Sequence, residues 1–173
     1  MKKVAKFEKV SFERFKKDFT KIFPTYNKQN EALFSLYNSI PMPKRATKGS
    51  AGYDIHSPVG LIVKPGETAT IPTGIRVKMD EGWVLKLYPR SSFGFKYRAQ
   101  LDNTVGIIDQ DYYFSDNEGH IMVKITNDSK EDKTKTISFM DRIVQGIFEK
   151  FGITVDDGEY DKSERNGGFG STN

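Results

Sequence analysis

Leu61-Ile62-Val63-Lys64-Pro65-Gly66-Glu67-Thr68-Ala69-Thr70-Ile71-Pro72-Thr73-Gly74-Ile75-Arg76-Val77-Lys78-Met79-Asp80-Glu81-Gly82-Trp83-Val84-Leu85-Lys86-Leu87 is the stretch on which the fold turns. Its apolar and β-branched runs, at 61–63, 68–71, 74–78 and 83–87, are too short for helices and are cut by Lys64-Pro65-Gly66-Glu67 and Asp80-Glu81-Gly82, which is turn chemistry. The same rhythm continues outward through 105–108, 120–126, 135–139 and 142–148, so that residues 52–151 read as strands with turn signals every 8 to 12 positions. No helix-length pattern separates the runs, which argues against a parallel βαβ sheet. The expectation is an all-β antiparallel sandwich or jelly-roll barrel.

Toward the N-terminus the pattern changes. Phe12, Phe15, Phe19 and Ile22 recur at helical spacing between Arg14, Lys16, Lys17 and Lys21, with Ser11 as a cap and Pro24 as a stop. A second helical stretch, 31–37, leads to Pro41-Met42-Pro43. Residues 1–48 hold 12 Lys/Arg against 4 Asp/Glu, and residues 49–173 hold 15 against 19, so the net charge of +4 belongs to this segment alone. A basic arm can bind nucleic acid or an acidic partner. The aromatic spacing favours a helix packed against the body, and nucleic acid is not expected. At 173 residues the chain has room for one domain and a short extension, divided here as a helical extension at 1–39, a barrel at 40–163 and a Gly-rich tail at 164–173.

Composition excludes several classes of function. At 36% hydrophobic and 13% aromatic the chain is too apolar to be disordered. With no Cys there are no disulfides, thiolate metal sites or cysteine nucleophiles, and His56 and His120 alone cannot build a histidine metal site, so any metal must be held by oxygen. No apolar run is long enough to span a bilayer and no apolar stretch follows the first lysines, which leads us to expect a cytoplasmic protein with no membrane partner.

Five segments carry the chemistry. Ala51-Gly52-Tyr53-Asp54 sets a carboxylate after a glycine that permits close backbone approach. Pro89-Arg90-Ser91-Ser92-Phe93-Gly94 combines a guanidinium with two hydroxyls, a set able to hold phosphate oxygens. Asn103-Thr104-Val105-Gly106-Ile107-Ile108-Asp109-Gln110-Asp111-Tyr112 is an apolar strand ending in acids and an aromatic. Asp141-Arg142-Ile143-Val144-Gln145 alternates as a strand does, and its Asp-Arg reads as an exposed ion pair. The tail, Arg165-Asn166-Gly167-Gly168-Phe169-Gly170-Ser171-Thr172, adds a second anion-binding set around one aromatic. Singly, each is a common surface feature.

In this order the five resemble the motifs of the trimeric dUTPases, over residues 40–172. The resemblance implies a distorted jelly-roll β-barrel (β-clip) and hydrolysis of dUTP to dUMP and pyrophosphate, in a homotrimer with shared active sites. It implies that Asp109 is the base that activates water and that Tyr112 lies under the deoxyribose. Asn103 and the backbone around Gly106 would read uracil, while Arg90, Ser91, Ser92 and Gln145 would hold the phosphates. Asp54 would anchor part of the water shell of Mg2+ carried by the triphosphate. Phe169 would cover the base while Arg165, Ser171 and Thr172 close a mobile lid on the γ-phosphate. Three departures are visible: five added residues after Tyr112, read as a longer hairpin loop at the uracil pocket; a tail arginine one residue closer to Gly167-Gly168 than is common; and the N-terminal segment itself. The related dCTP deaminases use a glutamate where Lys124 stands here, and lysine cannot shuttle that proton at neutral pH. A non-catalytic nucleotide sensor or partner-binding protein is the other alternative.

Overall fold

The structure, a computed structural model, describes residues 2–158. Arg165, Phe169, Ser171 and Thr172, and with them the expected lid over 164–173, lie outside the described residues. Chain order is β1 (Ala5–Lys9), α1 (Phe12–Ile22), a 3-10 turn (Pro24–Tyr26), α2 (Asn30–Ser39), β2 (Lys44–Arg45), β3 (Tyr53–His56), β4 (Leu61–Val63), β5 (Thr68–Pro72), β6 (Ile75–Met79) and β7 (Trp83–Pro89). After these come α3 (Ser91–Tyr97), β8 (Ala99–Leu101), β9 (Gly106–Ile108), a 3-10 turn (Gln110–Phe114), β10 (Met122–Asn127), β11 (Lys135–Ile137) and β12 (Arg142–Lys150).

The expected antiparallel all-β fold of jelly-roll type is found. Every pairing is antiparallel, in sheets ordered β2-β3-β12-β7-β9, β5-β10-β8, β4-β11 and β1-β6. The strands alternate inward and outward residues, as in Ile75, Val77 and Met79 of β6, all buried, against the outward Arg76 and Lys78. Their inner faces meet in one core that includes Ile55, Ile71, Ile75, Leu85, Ile121, Ile137 and Ile143.

The N-terminal segment belongs to that core. Ser11 caps α1, its Oγ accepting the Arg14 N–H at 3.1 Å, and Phe15 and Phe19 on the inner face are fully buried. Phe19 packs against Phe15, Phe23 and Tyr26 with ring centroids 5.2, 4.9 and 5.2 Å away. The helix therefore lies on the body, as its spacing predicts. The segment is not wholly helical, because Ala5–Lys9 pair with β6, Ala5 opposite Met79 and Lys9 opposite Ile75.

The residues added after Tyr112 also depart from expectation. They form a 3-10 turn and a loop that rests on α1 rather than a hairpin at a pocket. The reason is polar complementarity with the extension. Glu118 receives the Ser11 N–H at 2.7 Å and the Ser11 hydroxyl at 2.6 Å, Arg14 donates to the Asp116 carbonyl at 2.7 Å, and Tyr113 donates its hydroxyl to Glu8 at 2.7 Å. Strand β10 accordingly starts at Met122, two residues later than the apolar run suggests.

Candidate active site

Three neighbouring strands place the first group of expected residues. Asp54 on β3 faces Gln145 on β12, which faces Tyr88 on β7, two residues before Arg90. A bulge between Arg142 and Val144 inserts one residue into β12, and bulges turn side chains away from the regular alternation. Arg142 here reaches Asp54 Oδ2 at 3.3 Å, while Arg90 Nε stands 3.6 Å from Asp54 Oδ1. Asp141 does not pair with Arg142, as the sequence suggests, but accepts the Ser138 N–H. Asp54 is thus a nearly buried carboxylate between two guanidiniums. Burial and these two cations push His56, behind it, below the ordinary imidazole range, with Asp54 opposing in part. Gln145 points its amide toward the Pro89 carbonyl, and Gly52 lies so close that a Cβ there would stand 2.7 Å from Gln145 Oε1. Ser91 and Ser92 are exposed on the first turn of α3, anchored by buried Phe93.

A second group surrounds a pocket of about 210 Å³ lined by Leu87, Leu101, Asp102, Asn103, Gly106, Ile108, Met122, Val123 and Lys124. It is mostly apolar, with polar groups at one side and room for a single-ring base. Gly106 sits tightly where β9 pairs with β7: a Cβ would meet Leu87 Cβ at 3.1 Å and push it aside by a few tenths of an ångström. Asp102 and Lys124, absent from the expected site, pair at 2.7 Å, and hydrogen bonds from Lys124 and Thr126 hold Asp102 below the usual carboxylate range. The position at which a deaminase would need a glutamate therefore carries a lysine engaged with an aspartate. No residue added after Tyr112 lines this pocket.

Asp109 directly follows β9 and is exposed; Tyr112, in the 3-10 turn beyond it, is 3% exposed. Tyr112 donates its hydroxyl to the His120 carbonyl at 2.8 Å and accepts from Asn117 Nδ2 at 2.7 Å. Strand direction separates Asp109 from Arg90 and the serines after it. Ile108 faces Leu85, and Arg90, just past the end of β7, lies five residues further along the chain, roughly 16 Å at 3.3 Å per residue. Asp54, Arg90, Arg142 and Gln145 are brought together, Asn103 and Gly106 are brought together at the pocket, and β7 joins the two groups, Leu87 facing Gly106 and Gly146 and Tyr88 facing Gln145, while Asp109 lies off the other end of β9.

Among the described residues no three His, Asp or Glu side chains converge as a metal site. A single carboxylate held by two arginines fits a cation that arrives with a polyanion and touches protein through its waters; it does not fit one bound directly.

Fold and site define a jelly-roll protein that presents an arginine–serine loop for a polyanion, a base-sized pocket and an aspartate at the end of the pocket strand. The family model described as dUTPase matches residues 38–173. The chain belongs to the dUTPase family. The deoxyuridine 5'-triphosphate nucleotidohydrolase of Lactococcus lactis is 45% identical over 134 residues, covering 77% of this chain and 88% of that protein. That of Hahella chejuensis is 40% identical over 143 residues, covering 79% and 90%. Among solved structures, the dUTPase from Streptococcus mutans aligns with a TM-score of 0.59 at 38% identity, covering 65% of this chain and 88% of that one. The dUTPase from Staphylococcus aureus phage phi11 aligns at 0.56 and 26%, covering 76% and 92%; that structure is described as visualising a species-specific insert.

Proposed function

We propose that this chain is a dUTP diphosphatase that hydrolyses dUTP to dUMP and pyrophosphate. The observation that carries the reading is the pairing of a base-sized pocket, edged by Asn103 and Gly106, with Asp109 at the exit of the strand that builds it. Asn103 and the β9 backbone read the uracil edge, and Tyr112 forms the floor beneath the deoxyribose, leaving no room for a 2′-hydroxyl. The Asp109 carboxylate takes a proton from a water in line with the α-phosphorus, and the water attacks as pyrophosphate leaves. Arg90, Ser91, Ser92 and Gln145 hold the phosphate oxygens, where charge-assisted hydrogen bonds are strongest. A magnesium ion carried by the triphosphate would neutralise charge on the phosphate oxygens. Asp54 would receive hydrogen bonds from its waters.

The separation of Asp109 from Arg90 supports a homotrimer in which one protomer supplies base pocket and aspartate and a neighbour supplies the phosphate loop. Residues 164–173 would close over the substrate, with Phe169 on the base and Arg165, Ser171 and Thr172 on the γ-phosphate. The work is done in the cytoplasm. The Lys124–Asp102 pair speaks against a deaminase, and Asp109, Gln145 and Phe169 together speak against a silent nucleotide sensor.

Asp109→Asn keeps the shape and removes the base. Calorimetry with a non-hydrolysable dUTP analogue should find binding nearly unchanged, while pyrophosphate release falls by about 10² to 10⁴. Hydrolysis within tenfold of the starting protein would place the base elsewhere.

A further inference from the structure

The N-terminal helix lies outside the family match, which begins at residue 38, yet it is wired to Tyr112. The His120 side chain is completely buried. Its Nε2 accepts the Gly74 N–H at 2.8 Å, so that nitrogen carries no proton, and its Nδ1 donates to Asp18 Oδ2 of α1 at 2.7 Å. The carbonyl of this same residue accepts the Tyr112 hydroxyl. The second partner of that hydroxyl, Asn117, belongs to the added loop, which Ser11 and Arg14 hold from the start of α1. The loop closes so tightly that a Cβ on Gly119, at φ +68°, would stand 2.8 Å from the Tyr112 carbonyl oxygen.

We propose that Asp18 and His120 are positioning residues for Tyr112, and that the N-terminal extension serves to fix the floor on which the enzyme excludes a 2′-hydroxyl. The inference rests on the proposed role of Tyr112 beneath the sugar. Exclusion by contact works only if the ring cannot retreat, because a site about 1 Å too loose no longer discriminates one oxygen from a hydrogen. Two hydrogen bonds hold the ring's outer end. One comes from a loop clamped to α1, and the other goes to a residue whose imidazole is clamped between α1 and Gly74. Without Asp18 the imidazole keeps the Gly74 hydrogen bond and the Phe15 ring beside it, but its Nδ1–H loses the acceptor on α1.

The test compares dUTP and UTP as substrates of the full chain. Asp18→Ala should lower the ratio of the two kcat/KM values about three- to tenfold, the range given by one hydrogen bond's worth of positioning. The change should lie in a lower KM for UTP, with kcat for dUTP within about twofold. Asp18→Asn, whose amide oxygen can still accept from His120, should restore the ratio. General damage to the fold would instead lower both activities together. A folded Asp18→Ala protein with an unchanged ratio, or with parallel losses, would overturn the proposal. If Asp18→Ala does not fold, Glu118→Ala, which releases Ser11 at the surface, is judged by the same ratio and limits. If the unsubstituted protein fails to hydrolyse dUTP, the proposed function falls and takes this inference with it. If it hydrolyses dUTP selectively and the variants do so equally, only the inference falls.

Discussion

A single methyl group at Gly52 tests whether Gln145 holds the substrate's phosphates. A Cβ built there would meet Gln145 Oε1 at 2.7 Å and Gln145 Cβ at 3.1 Å. The oxygen is the far end of a flexible side chain and can swing away; the Cβ belongs to a central strand and can yield only a few tenths of an ångström. Gly52→Ala should therefore leave the sheet in place and rotate the carboxamide off its station near Pro89. The stability cost is small, because the 3.5 Å contact that is lost is already long and weak. Losing a hydrogen bond to a charged phosphate costs about 1.5 to 3 kcal/mol, or roughly 10- to 150-fold in kcat/KM. The assay is steady-state pyrophosphate release from dUTP for Gly52→Ala, Gln145→Ala and the double variant, with melting temperature as the control. If both substitutions act through the same amide, the double variant should be no worse than Gln145→Ala alone. Activity of Gly52→Ala within threefold of the parent, or losses that multiply in the double variant, would refute the reasoning.

Phe19→Ala should show that the extension is part of the core: removing a fully buried ring costs about 3 to 5 kcal/mol, read as a fall of roughly 6 to 20 °C in melting temperature. Acid should release α1. Burial alone would raise both Asp18 and Glu118, but hydrogen bonds from His120 and from Ser11, with Arg14 nearby, hold both below their ordinary values. Groups lowered in the folded state lend stability above their unfolded pKa of about 4 and lose it as pH falls through the lowered values, so melting temperature should drop more steeply below about pH 4.5 in the parent than in Glu118→Gln; parallel curves would contradict this. Deleting residues 165–173 should leave light scattering at the mass of the full-length assembly, less the deleted residues, and lower dUTP hydrolysis by about 10³ or more, since a guanidinium, two hydroxyls and an aromatic go together; near-normal activity would make the tail a passive terminus.

The strands at 61–87 and 142–148 are legible because alternation and turn residues are local signals, though the last runs on to Lys150, and α1 is legible from its cap and its phenylalanines. Strand β1 is not, because Ala5-Lys6-Phe7-Glu8-Lys9 is short and charged and is held by its pairing with β6. Helix α3 was hidden by Gly94 and its aromatics; buried Phe93 holds it, and Lys135 sits over the Phe93 and Tyr97 rings. The arginine–serine and Asp-Arg motifs could be named from residue type, yet the reach of Arg142 to Asp54 comes beside a bulge that no spacing announces. Asp102 gave no signal beyond standing beside Asn103. The contacts of Ser11 with Glu118 and of Asp18 with His120 join residues 107 and 102 positions apart, a separation at which periodicity carries no information.

Those separations also bear on synthesis. The amphipathic face of Phe12, Phe15 and Phe19 leaves the ribosome early, but its polar anchors at Asp116, Glu118 and His120 are added about a hundred residues later. At 5 to 20 residues per second the helix waits roughly 5 to 20 s with its aromatic side uncovered. Its lysines and arginine give that waiting segment a positive charge that sets neighbouring nascent chains against one another. The basic charge of the first 48 residues thus acts before folding as well as after it, when Lys9 donates to the Tyr37 and Asn38 carbonyls and Arg14 to that of Asp116.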